Sequence, residues 1–152
     1  MRDEDVKNED LDMSEDQVLQ WIEAQSEQLH SQSRLLVDDY WRRLKKFNGK
    51  EPGRIGVRIR RREHSFSFSI EWYRMATLRQ NGQLKPICQY LKKGLSYRYP
   101  LQRFLQNEPD WEVSLVEELE NEFATIRKQM ALLGKMRDAF QQYRKAAQVE
   151  NE

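Results

Sequence analysis

The stretch GRIGVRIRRREHSFSFSIEWYR, residues 53–74, places five arginines between Arg54 and Arg62. Ile55, Val57 and Ile59 alternate with them, which is the period of a half-buried strand. Arg54, Arg58, Arg60 and Arg62 then share the face opposite the aliphatic one. Four like charges on one short face repel unless something negative lies against them. Guanidinium groups suit planar, bidentate contact with phosphates and base edges. Ser65, Ser67 and Ser69 fall in register with that face and can donate to phosphate oxygens. Tyr73, Tyr97 and Tyr99 add aromatic surface beside Lys92, Lys93 and Arg98. These thirteen residues form the candidate DNA-contacting set, and a two-stranded ribbon fits the major groove of duplex DNA. The competing expectation is a solvated strand face whose charges discourage edge pairing, or which pairs with Glu71 or the acidic N-terminus.

Other chemistry finds little support. His30, His64 and Cys88 have no metal-ligand spacing, and no nucleophile lies in a Ser/His or Cys/His context. Neither a P-loop nor a GxGxxG turn occurs. A non-catalytic protein without metal or cofactor is expected. Glu117, Glu118, Glu120 and Glu122 read as a solvated helix face, Trp41 and Trp72 as core, Cys88 as a small buried residue, and His64 as a turn residue.

The formal net charge of +1 conceals a strong segregation. Residues 1–30 hold two basic and ten acidic side chains, residues 41–103 seventeen basic and three acidic, and residues 104–152 six basic and ten acidic. A basic middle third points to an anionic partner. The 152 residues suit one domain, and 38% apolar against 34% charged suits long exposed helices. No stretch approaches the ~18 apolar residues of a membrane span, and a single cysteine fits a reducing cytoplasm.

The elements that must position the basic block can be read in order. Residues 1–12 form an acidic tail expected to be disordered. Ser14 and Gln17 make a capping box, with Met13 and Val18 placed as a hydrophobic staple. A helix over 14–47 follows, its seam running through Val18, Ile22, Leu29, Leu36, Tyr40, Leu44 and Phe47 with Gln25 and Gln32 filling the rhythm. Asn48-Gly49 and Pro52-Gly53 end it. Strands over 54–62 and 65–73 form a hairpin through a short Arg-Glu-His link. Asn81-Gly82 predicts a tight turn into a third strand near 84–91, where Pro86 requires an edge or a bulge. Residues 91–100 are a basic, aromatic loop or strand within a β region of 54–100. A heptad helix over 109–147 carries Val116, Leu119, Phe123, Ile126, Met130, Leu133 and Phe140, interrupted by Arg137. Residues 148–152 form a tail. The fold class is α+β, one domain over 13–147, and the two helices can pair with each other or zip with a second copy.

The segments GRIGVRIR (53–60), SIEWYR (69–74), LKKGLSYRYP (91–100) and PDWE (109–112) resemble the MobI-type conjugative transfer proteins, across roughly residues 40–112. The resemblance implies an auxiliary factor that recognises the origin of transfer and helps a separate relaxase or other relaxosome proteins, with the helices serving self-association or relaxase contact. The alternative from another class is a coiled-coil adaptor whose basic sheet docks an acidic protein without touching DNA.

Overall fold

The computed structural model describes residues 14–47 and 53–150. The acidic tail, Met13 of the staple and the helix stop at 48–52 lie outside the described residues. Helix α1 spans Glu15–Phe47, strands β1, β2 and β3 span Ile55–Arg60, Ser69–Gln80 and Gln83–Tyr90, a short helix α2 spans Leu101–Phe104, and helix α3 spans Asp110–Glu150.

Helix α1 begins at the capping box. Ser14 N–H donates to Gln17 Oε1 at 2.8 Å and Gln17 N–H to Ser14 Oγ at 3.3 Å, so each satisfies a donor that the helix start leaves open. Its buried seam is Ile22, Ser26, Ser33, Tyr40 and Leu44. The rhythm assigned to Gln25 and Gln32 is therefore kept by their neighbours Ser26 and Ser33. The reason is steric: a small hydroxyl lets the β1–β2 loop approach, and Ser26 Oγ donates to Phe66 O at 3.0 Å.

Helices α1 and α3 run antiparallel within one chain. Arg43 reaches Glu118 at one end of the pair, and Arg144 reaches Glu15 at the other. Val116, Leu119, Phe123, Ile126, Met130 and Leu133 bury the heptad seam of α3. Arg137 stays in the seam by laying its guanidinium over the Phe66 ring, 4.8 Å from the centroid.

The sheet has the order β1-β2-β3, antiparallel throughout. Ile55, Val57, Ile70 and Trp72 face the helices and are buried. Two hydrogen bonds pin β1 to α1, from Tyr40 Oη to Ile55 O at 2.5 Å and from Trp41 Nε1 to Val57 O at 3.3 Å. Trp72 is enclosed by Tyr40 and Phe123, with ring centroids at 5.2 and 5.7 Å. Full burial of one such aromatic side chain contributes about 2–3 kcal/mol.

The hairpin differs from the expected one. Strand β1 ends at Arg60 and β2 begins at Ser69, with Ile59 opposite Ile70, so the connection runs through residues 61–68. Phe66 and Phe68 alternate with serines, but in a loop whose aromatic rings pack against the core. His64 takes a left-handed φ of 61° in this loop. The Asn81-Gly82 turn has φ of 53° and 76°, the pair of positive values that a tight two-residue hairpin requires. Pro86 sits on β3, the edge strand, opposite Thr77. Cys88, expected inside, is exposed on that edge.

Candidate nucleic-acid interface

Loop 61–68 and loop 91–98 stand on either side of a groove whose third wall is α3. The groove encloses about 960 Å³. Ile70, Leu91, Tyr99 and Met130 form apolar lining, Phe66, Phe68 and Tyr97 add aromatic surface, and Lys92, Lys93, Arg127 and Arg137 supply positive charge. A smaller depression of about 320 Å³, bordered by Arg60, Arg62 and Glu71, lies on the other side of Ser65, Ser67 and Ser69. The serine-phenylalanine segment is thus a ridge between two recesses, and its residues line both.

Seven of the thirteen candidate residues line the larger groove: Ser65, Ser67, Ser69, Lys92, Lys93, Tyr97 and Tyr99. Arg60 and Arg62 join the three serines at the smaller one. The other four are drawn elsewhere. Arg54 donates to Glu108 at 3.1 Å, and that carboxylate is buried and also lies 3.6 Å from Arg74. Arg58 pairs with Glu71 at 2.9 Å and lies 4.0 Å over the Tyr90 ring. Tyr73 packs beside Tyr90 on the same open face, where its ring covers Gly56. Arg98 donates to Asn121 at 2.6 Å on the far flank of loop 91–98.

Within the groove the candidates are not equally free. Lys93 donates to Ser96 O at 2.5 Å and to Gly94 O at 3.2 Å, so its ammonium closes its own loop. Tyr99 is buried, and that burial pushes its hydroxyl above the ordinary phenol range. Lys92, Arg60 and Arg62 are exposed and have no ion-pair partner among the described residues. Arg61, the fifth arginine, is held by Glu27 of α1 and donates to Ser65 O at 3.2 Å, which fixes the ridge to the helix.

The residue that organises the groove was not among the candidates. Arg127 donates to both oxygens of Glu120 at 2.9 Å, to Tyr97 O at 2.9 Å and to Ile70 O at 3.0 Å, and lies 4.8 Å over the Tyr99 ring. Helix, sheet and loop meet at one guanidinium. Glu120 is fully buried, and it also accepts from Trp72 Nε1 at 3.0 Å and Tyr99 N–H at 2.7 Å. Of the expected solvated face of α3, Glu117, Glu118 and Glu122 are exposed, and Glu120 alone is corrected. Glu120 is an acceptor hub, because Trp72 and Tyr99 from other elements and Arg127 of its own helix replace the water it loses. The available signal was its spacing of one heptad from Arg127, beside the apolar seam. Glu112 of the PDWE segment does similar work at the other end of the sheet. It accepts from Arg54 N–H at 2.8 Å and Ile55 N–H at 2.7 Å, where β1 begins.

Among the described residues no group of three or more His, Cys, Asp or Glu is placed to hold a metal ion. The groove combines hydroxyl donors, aromatic faces and cations, which is the chemistry of phosphate contact and base stacking. A family model described as "MobI protein" matches residues 29–141. The chain belongs to the MobI family. The match extends past the central block into both long helices, so it covers the sheet, both recesses, the second half of α1 and most of α3. MobI membership ties the chain to conjugative mobilisation. No curated protein and no solved structure matches it. No helix of this MobI-family chain, among the described residues, is long and apolar enough to cross a membrane.

Proposed function

We propose that this chain is a non-catalytic, cytoplasmic DNA-binding factor of conjugative transfer, which engages the origin of transfer and assists a separate relaxase. The observation that carries the reading is the ridge of Ser65, Ser67 and Ser69 between two recesses with unpaired cations on either side, Arg60 and Arg62 on one and Lys92 on the other. Phosphates along the ridge would meet hydroxyl donors and flanking charge, while the exposed Tyr97 offers a face to a base. Family membership supplies the biological setting.

A gel shift with an origin-region duplex, a random duplex and the corresponding single strands tests it. Binding that weakens steeply with salt and falls in an Arg60→Ala/Arg62→Ala/Lys92→Ala variant supports the reading. No binding to any of these DNAs at low salt rejects it.

A second reading, a protein adaptor, draws support from the opposite face of the helix pair. There Trp21, Leu132 and Met136 are exposed around a recess lined by Gln25, Gln28, Gln32 and Gln129, with Glu122 its one charged residue. Such a nearly uncharged face on a highly charged chain suits a relaxosome protein or a second copy. A Trp21→Ala variant that keeps DNA binding but loses relaxase co-purification would assign that face to protein contact.

A further inference from the structure

Strand β2 is twelve residues long, but its pairing with β1 stops at Arg74. Met75–Gln80 and their partners on β3 continue as a two-stranded arm beyond the body. Every residue from Thr77 to Pro86 is exposed. The arm extends about 20 Å, at ~3.3 Å per residue. Exposed leucines on a free ribbon are an aggregation liability, so their presence asks for a partner.

The composition of the arm indicates which partner. From Trp72 to Asn107 there is no Asp or Glu, against seven Lys or Arg. The register pairs Leu78 with Lys85 and Arg79 with Leu84, so each face of the arm carries one cation and one leucine. Gln80 and Gln83 are paired next to the turn. Uncharged amides bond both donors and acceptors of base edges, above all adenine. Arginine and lysine pair with guanine, and an aliphatic side chain contacts the thymine methyl. A two-stranded ribbon also matches a major groove about 12 Å wide. An acidic protein surface would use the cations but leave the amide pair without a role.

We propose that the β2–β3 arm enters the major groove of duplex DNA and reads base edges, with Gln80, Gln83 and Lys85, which share one face of the ribbon, as the reading residues and Arg79 on the other face placed against the phosphates of the groove wall, while the ridge and its flanking cations hold the rest of the backbone. This rests on the DNA-binding reading above and adds the element that gives it sequence preference. None of the four belongs to the recesses, so the two roles separate experimentally.

The test is selection from a randomised duplex library by the full chain, by Gln80→Ala/Gln83→Ala and by Arg79→Ala/Lys85→Ala, with circular dichroism melts on each. The unaltered chain should enrich a motif and protect a guanine N7 within it from methylation. The amide variant should lose about tenfold or more of the preference for that motif while holding random duplex within a few-fold. The cation variant should lose preference and also show a salt slope shallower by up to about 1.8. Both should melt with the unaltered chain, since the arm buries little. Variants that enrich the same motif with the same preference overturn the proposal and leave the DNA-binding reading standing. Binding by the unaltered chain without enrichment does the same. No binding by the unaltered chain overturns both.

Discussion

Trp72 Nε1 donates to Glu120 Oε1 at 3.0 Å across the interface between β2 and α3, and both side chains are fully buried. The same carboxylate carries Arg127, whose side chain retains 10% of its exposure. The sheet, the loop over Tyr97 and Tyr99, and the second long helix are therefore joined through one carboxylate. That junction ties three walls of the groove to one another.

Glu120→Ala should cost about 3–5 kcal/mol, because it strands a buried guanidinium together with the Trp72 and Tyr99 donors. Glu120→Gln keeps an acceptor and should cost less. Urea unfolding of both variants checks the order. Equal and small losses would mean that water replaces the carboxylate.

The arginines of β1 should divide by partner. Arg60→Ala/Arg62→Ala removes two unpaired cations and should make the slope of log affinity against log salt shallower by about 1.8, at ~0.9 per phosphate contact, with the melting temperature unchanged. Arg54→Ala should instead lower stability, because Glu108 is buried and would lose its closest cation. A salt titration of DNA binding and a thermal melt on each variant distinguish the two classes.

Glu112 gives a pH signature. Burial raises its pKa first, and neighbouring Glu108 acts in the same direction, against the two backbone N–H groups that favour the charged form. Its folded pKa lies above the unfolded one. Its contribution is therefore fully present below the unfolded carboxyl range and is lost as pH rises through the folded value. Glu112→Gln removes the titration and keeps an acceptor for β1. The variant's melting temperature relative to the unaltered chain should rise between about pH 4 and pH 7. A difference that stays constant over that range would show that Glu112 does not titrate differently on folding.

Gly56 is required by a ring. A Cβ there would lie 2.4 Å from Tyr73 Cζ, and the tyrosine is confined beside Tyr90. Gly56→Ala should cost roughly 1–3 kcal/mol as the ring is displaced. In a Tyr73→Ala background the same change should cost much less. Additive losses in a double-mutant cycle would place the strain elsewhere.

Local pattern alone was enough for the helices, the turn and the core-facing side of β1. The capping box of Ser14 and Gln17, the heptad of Val116 to Leu133, the Asn81-Gly82 turn and the alternation of Ile55, Val57 and Ile59 each depend on neighbours a few positions away, so composition and spacing carry them. The alternation of Ser65 to Ser69 was misleading for the same reason. A loop that tucks every second ring against a core has the spacing of a strand, and only the register of Ile59 with Ile70 shows where pairing stops. Tertiary structure decided which charges are free. Arg58 meets Glu71 across the sheet, Arg61 meets Glu27 of α1, and Glu120 meets Trp72 from 48 positions away. Identical side chains in one run thus become fold-holding or available according to which carboxylate the packing brings within hydrogen-bond reach, and that distance is set by the meeting of distant segments.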